Sequence, residues 1–235
     1  MLNFFHILLD IYGEQHWWPS KSGSRWEIAA GAVLVQNTAW GNVEKSLANL
    51  EAADWMSPER IADAPLETLR EVIRPAGFFK QKSVYLKAVA EFFLAHEKEY
   101  LASDDLPDLR RRLLAVNGVG KETADDILLY AFGKPVFIID AYTRRVAERH
   151  LHLDGKLPYE ELQRIFMDAL PRDAALYGEY HALILALAKD SCRKSGCGET
   201  CRRLSQEFRD LPARWMREQS VTGKCISGRK APRGR

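Results

Sequence analysis

The sequence has no apolar run near the ~18 residues that a membrane-spanning helix requires. It has no alternation of strand and helix patterns, no low-complexity tract and no internal repeat of fixed period. Those absences set aside parallel-sheet enzymes, largely disordered chains and solenoids. The first residues, Met1-Leu2-Asn3-Phe4-Phe5-His6, carry no basic segment and no small-residue cleavage site. The expectation is a cytoplasmic chain without a signal peptide. Net charge is only +2, from 34 basic and 32 acidic residues, so the total does not announce a polyanionic partner. Cysteine is scarce, four residues in 235, and all four (Cys192, Cys197, Cys201, Cys225) fall in the last fifth of the chain.

What is present is ordinary globular material, 46% hydrophobic and 28% charged, enough to bury a core in one large or two small domains. Charge is unevenly placed. Residues 202–235 hold ten basic and three acidic side chains, leaving 24 basic against 29 acidic in the remainder. A basic tail on a mildly acidic body suits contact with phosphate, and equally suits a solvated tail without a partner. In a cytosolic protein, clustered cysteines point to a metal site rather than to disulfides.

Helical periodicity dominates. Apolar residues at 2, 5, 8, 9 and 11 open with an amphipathic pattern. Helical patterns follow over 27–36, 43–51, 82–96, 106–116, 121–132, 141–150, 159–169 and 176–189. Ser57-Pro58-Glu59 reads as cap, proline and acid at a helix start, and Asp63 to Glu67 repeats the signal. Val136-Phe137-Ile138-Ile139 is the single strand candidate, and it reads equally as a buried extended connection. The fold class is therefore all-α, with roughly ten short helices.

Within this pattern, Asn117-Gly118-Val119-Gly120-Lys121 joins two helices with almost no loop. Glycine permits the tight turn, Val119 can tuck between the helices, and the second helix presents free N–H groups outward. The turn reads either as a plain αα-hairpin with a glycine cap or as a helix-hairpin-helix that grips a phosphate oxygen without reading sequence. Eighteen residues past Val119–Gly120, four apolar residues deliver Asp140 to the start of a helix. The carboxylate reads as a helix cap or as a group at the rim of a cleft that stabilises a sugar cation or orients water.

Gly118-Val119-Gly120 followed by Asp140, after Ala32-Val33-Leu34-Val35-Gln36-Asn37-Thr38 and before late cysteines, resembles the helix-hairpin-helix base-excision glycosylases of the endonuclease III superfamily. The resemblance runs from about Trp17 to Cys201. It implies a six-helix module over 22–134 and a second helical module built from 1–21 and 135–202. A base pocket lies between them, and a basic tail covers 203–235. It also implies a monomer that binds double-stranded DNA containing a damaged base and flips that base out. Gln36 would enter the duplex and Phe78 would wedge the opposite strand.

Bifunctional members carry a lysine two residues after the second hairpin glycine. Here that residue is Glu122, and Lys121 points about 100° away on the helix. The implied enzyme is monofunctional: Asp140 assists departure of the base, Glu122 holds the attacking water, and an abasic site remains. Trp17-Trp18-Pro19, together with Gly120-Lys121-Glu122-Thr123-Ala124-Asp125, resembles the 3-methyladenine DNA glycosylase III branch. In that branch the two tryptophans and the proline, here Trp17, Trp18 and Pro19, line the base pocket, and an indole face stacks well on an electron-poor alkylated purine. Trp17 and Trp18 also read as anchors of the first helix.

Family members with a [4Fe–4S] cluster space their cysteines C-x6-C-x2-C-x5-C. This chain has Cys192-x4-Cys197-x3-Cys201, with Cys225 far downstream. The resemblance implies a [4Fe–4S] cluster on these four residues with remodelled loops. Zinc, or no metal, is compatible with the same spacing. Two other functions fit the same residues: a bifunctional glycosylase/AP lyase for oxidised pyrimidines that uses Lys121 or another amine, and a non-catalytic DNA-binding protein.

Overall fold

The computed structural model describes residues 1–18 and 20–207. Pro19, Cys225 and the basic tail beyond residue 207 lie outside the described residues. Twelve α-helices are present among those described: α1 (Leu2–Tyr12), α2 (Arg25–Leu34), α3 (Trp40–Ala52), α4 (Pro58–Asp63), α5 (Leu66–Val72), α6 (Phe79–Ala102), α7 (Leu106–Leu114), α8 (Lys121–Asp126), α9 (Ala141–His150), α10 (Tyr159–Asp168), α11 (Ala174–Asp190) and α12 (Glu199–Glu207). A 3-10 turn, Arg74–Ala76, precedes α6, and a π-helical turn, Ile127–Ala131, extends α8. A two-stranded hairpin, β1 (Cys192–Arg193) and β2 (Gly196–Cys197), separates α11 from α12. None of these helices is long and apolar enough to cross a membrane.

Helix α2 is the centre of the packing. Nine of its ten residues are buried, and the small run Ala29-Ala30-Gly31-Ala32 lets α6 and the π-helical turn approach closely. Ser24 caps it by accepting the Glu27 N–H at 3.1 Å. The Glu27 carboxylate returns to the preceding loop, accepting the Lys21 and Ser22 N–H groups at 2.8 Å each. Burial pushes this carboxyl up, but the Ser22 hydroxyl and the two N–H groups outweigh it and hold the group below the usual glutamate range. The loop carrying the tryptophans is thus fastened to the central helix. Helix α1 packs on α11, and Tyr180 Oη donates to Met1 O at 3.1 Å.

The Ser57 cap forms as the sequence indicates, its hydroxyl accepting from Arg60 N at 3.3 Å. The second signal resolves differently: α5 starts at Leu66 behind Pro65, without a side-chain cap. Val136 to Ile139 is an extended connection that pairs with no strand, each residue 0–2% exposed. Its backbone groups are satisfied by side chains instead. Gln163 Nε2 donates to Phe137 O at 2.6 Å, Thr143 Oγ1 to Ile138 O at 3.3 Å, and Ile139 N donates to Tyr159 Oη at 3.3 Å. Residues 199–207, which the sequence reading placed largely in the basic tail, form α12 because Cys201 and Leu204 bury one face of it.

The glycine turn between α7 and α8 is built around Gly118, whose φ of +85° favours glycine. A Cβ there would lie 2.0 Å from Tyr85 Cγ. Gly120 has an ordinary extended backbone with φ −87°, so of the two hairpin glycines Gly118 alone needs the left-handed region. Val119 is buried in the core, as the hairpin reading expects. Gly118→Ala is therefore expected to destabilise the protein by about 1–3 kcal/mol, the usual range for overpacking. Urea denaturation of the two proteins side by side checks it, and an unchanged midpoint contradicts the packing described.

Candidate active site

Helix α8, the start of α9, helix α11, the loop after α1 and the turn after α2 surround a cavity of about 300 Å³. Three carboxyl groups line it. Glu122 and Asp126 share one face of α8, one helical turn apart. Asp140 enters from the N-cap of α9. Three acids in one small space cannot all be charged, and their surroundings sort them.

Asp140 keeps its charge. Burial pushes its carboxyl up, but His181 and the Thr143 N–H outweigh that and hold it below the usual aspartate range. Oδ1 accepts the Thr143 N–H at 2.6 Å, at the positive end of α9. Oδ2 faces His181 Nε2 at 3.8 Å. The imidazole is steadied on its other side, where Nδ1 lies 2.8 Å from Tyr130 Oη, and that hydroxyl lies 3.2 Å from Gly178 O. Glu122 opens to solvent at the cavity edge. Partial burial, with the charge of Asp140 nearby, pushes its carboxyl up to about 7. Asp126 is only 5% exposed and makes no hydrogen bond with the described residues. Burial, reinforced by the charges of Glu122, Asp140 and Asp125, raises its carboxyl well above the usual aspartate range. Asp125 points elsewhere: Arg110 grips it at 2.7 and 3.1 Å and Gln163 donates to it at 2.7 Å, tying α8 to α7 and α10.

The aromatic residues expected at the pocket line this same cavity. Trp17 and Trp18 meet edge to face at 5.9 Å between ring centroids, and both contact Trp40, at 6.0 and 5.3 Å. Trp18 also packs on the core against Tyr130 and Gly31, so it both lines the cavity and anchors its loop. Lys189 Nζ sits 5.4 Å above the Trp17 ring.

Gln36 and Phe78 sit on two separate turns. Gln36 Nε2 donates to Gly118 O and to Thr123 Oγ1, both at 3.0 Å, which links the turn after α2 to the glycine hairpin. Phe78 is 62% exposed, which excludes core packing for it. Its φ of +46° is strained for a bulky residue. Beneath both turns lies the buried Lys82, whose ammonium donates to Leu34 O at 2.9 Å and Ala76 O at 2.8 Å. Those carbonyls lie two residues ahead of Gln36 and Phe78. Burial without a counter-charge pushes Lys82 down to about 8. Lys121 lies outside the cavity and pairs with Glu160 at 2.7 Å. The amine that does face the cavity is Lys189.

Asp126, His181, Tyr130, Trp40 and Lys189 were not singled out from the sequence. Only Asp126 carried a usable signal, its position one turn after Glu122. The others come from distant segments and meet only in the folded chain.

The cysteines converge away from this cavity. The β1–β2 register sets Cys192 opposite Cys197, and Cys192, Cys197 and Cys201 are all free thiols. His150 Nε2, Cys192 Sγ and Cys201 Sγ lie within 4.8 Å of one another, all buried.

Comparison with known proteins agrees with this geometry. Residues 30–172 match the HhH-GPD superfamily of base excision DNA repair proteins. A Methanocaldococcus jannaschii protein named as a DNA repair glycosylase is 43% identical over 84% of this chain and 90% of its own. The endonuclease III of Sulfolobus acidocaldarius is 31% identical over 68% of this chain and 71% of its own. Among solved structures, the H. pylori 3-methyladenine DNA glycosylase MagIII bound to 1,N6-ethenoadenine superposes with a TM-score of 0.68. It is 28% identical and covers 80% of this chain and 96% of that one. By the family match across more than half its length, the chain belongs to the HhH-GPD superfamily of base excision DNA repair proteins.

Proposed function

We propose that this DNA glycosylase is monofunctional and hydrolyses the N-glycosidic bond of a flipped, alkylated purine. One observation carries the reading: a cavity of about 300 Å³, walled by Trp17, Trp18 and Trp40, holds three carboxyl groups of which Asp140 keeps its charge. An ionised carboxylate in a buried site stabilises the sugar cation that forms as the base departs. Glu122, with its carboxyl at about 7, is poised to accept a proton from the water that attacks C1′. The indole faces stack on an electron-poor ring, and the similarity to a 3-methyladenine glycosylase supports that substrate class. Asp126, whose carboxyl burial raises, faces the space for the bound base from the same cavity.

Gln36 and Phe78 are the residues assigned to the duplex, the first filling the gap left by the flipped nucleotide and the second wedging the opposite strand. Gly118, Gly120 and the N-terminus of α8 take a backbone phosphate. Lys121 reaches the backbone only by exchanging Glu160 for phosphate. In this reading the chain divides into a six-helix module over 22–134 and a second module from 1–21 and 135–202, and it acts as a monomer. The cofactor that the resemblance implies is a [4Fe–4S] cluster on Cys192, Cys197, Cys201 and Cys225. The described donors fit it in part, because an imidazole, that of His150, stands against Cys201.

The first test is single-turnover base release on end-labelled duplexes carrying alkylated-purine, oxidised-pyrimidine, uracil or mismatch lesions. Strand breaks are expected from the alkylated purine alone, and only after alkali. Asp140→Asn is expected to slow base release by roughly 10²–10³-fold, the scale of losing a preorganised electrostatic group, while lesion binding persists. Borohydride is expected to trap no adduct. An adduct that forms in the wild type and disappears in Lys189→Gln instead assigns the lyase chemistry to that amine.

Titration of Glu122 gives a separate check. Its folded value lies above the ordinary one, so it stabilises the fold below about pH 4 and that contribution fades as pH rises through about 7. Glu122→Gln is expected to lose less thermal stability than wild type between pH 5 and pH 8. An equal loss in both proteins removes the case for a strained carboxyl here.

A further inference from the structure

We propose that Cys192, Cys197, Cys201 and His150 form a mononuclear, tetrahedral zinc site. The donor set is three thiols and one imidazole, a combination that structural zinc takes readily. Cys201 Sγ lies 3.4 Å from His150 Nε2. With zinc–sulfur and zinc–nitrogen bonds near 2.3 and 2.0–2.1 Å, the edges of such a tetrahedron are roughly 3.5–3.8 Å. A four-iron cluster attaches each thiolate to a different iron and spreads the donors farther apart. His150, Cys192 and Cys201 present donor atoms within 4.8 Å of one another, a spacing that suits a single ion; Cys197 lies outside that group, opposite Cys192 in the hairpin, and closes on the ion as the fourth ligand.

The surroundings are those of a built site. Ser205 Oγ lies 3.2 Å from His150 Nδ1, which fixes the ring and leaves Nε2 for the metal. Arg149 reaches both Cys192 Sγ at 3.5 Å and Cys197 Sγ at 3.7 Å, where its charge compensates thiolates. Arg145 Nε donates to Cys192 O at 2.7 Å and Arg202 to Cys197 O at 2.8 Å, pinning both strands of the hairpin. Ser191 Oγ accepts the Cys201 N–H at 2.9 Å, which orients the first turns of α12 toward the hairpin. Gly198 is required there, since a Cβ would meet Ser191 Oγ at 2.6 Å. Binding the ion releases the thiol protons to solvent and joins α9, the hairpin and α12.

The test is metal and sulfide analysis of the full-length protein as purified, with its absorption spectrum. The expected result is about one zinc per chain, no acid-labile sulfide and a colourless solution. Cys225→Ser is expected to keep that zinc. Cobalt exchanged into the site should show the visible bands of tetrahedral thiolate coordination. His150→Cys should retain the ion while raising thiolate-to-cobalt absorption by roughly a third, as three thiolates become four. A brown protein with about four irons and four sulfides per chain overturns the proposal. So does loss of metal in Cys225→Ser, failure of the folded protein to take up zinc or cobalt, or a cobalt spectrum unchanged by His150→Cys.

Discussion

Electrostatic repulsion among Glu122, Asp126 and Asp140 is the constraint around which the rest of this structure is arranged. Three carboxyl groups in one cavity cannot share three charges in a low dielectric. The fold decides which one ionises by giving Asp140 the N–H of Thr143, the start of α9 and the nearby imidazole of His181. Glu122 and Asp126 have no comparable partner, and burial, reinforced by the charge on Asp140, pushes both upward. One carboxyl held low, one pushed up to about 7 and one raised by burial result from three chemically similar side chains.

Holding that arrangement is the task of the buried connector between the π-helical turn and α9. Val136 to Ile139 has no strand partner, and Gln163, Thr143 and Tyr159 complete its backbone hydrogen bonds from three directions. Asp140 is thereby delivered to a fixed place opposite α8. The same economy of parts governs the two turns proposed to meet DNA. Lys82 ties the ends of α2 and the 3-10 turn together from below, and Gln36 is bonded to the glycine hairpin. The turns bearing Gln36 and Phe78 are therefore braced against one another before DNA arrives, which reduces the ordering cost of binding.

Helix α9 connects the two chemical centres. Asp140 caps its first turn and His150 is its last residue, so about 15 Å of rigid helix separates the cavity from the cysteine hairpin. An ion at the proposed site would fix the helix whose N-terminus holds the ionised carboxylate. The hairpin thus bears on the position of Asp140 while standing apart from the chemistry.

Much of this was legible in the residues. Apolar spacing gave the helices to within a few positions, because burying one face of a helix imposes a 3.6-residue period on the chain. Gly118-Val119-Gly120, Asp140 and Glu122 were readable because each answers to local geometry: a turn that admits no Cβ, a helix start, one position on one turn. Twin tryptophans near the N-terminus gave the aromatic wall. His181, Tyr130, Lys189, Trp40 and Lys82 were not readable, since a single histidine or lysine in a helix has no local signature and acquires its role from what packs across from it. Asp126 looked like an ordinary helical acid until burial raised its carboxyl, and His150 like a C-terminal helix residue until the hairpin closed over it. The sequence by itself determined the class of fold, the hairpin and the acidic replacement at 122. The tertiary structure alone decided which acid is charged and which imidazole meets the thiols, because both depend on distances between segments that are remote along the chain.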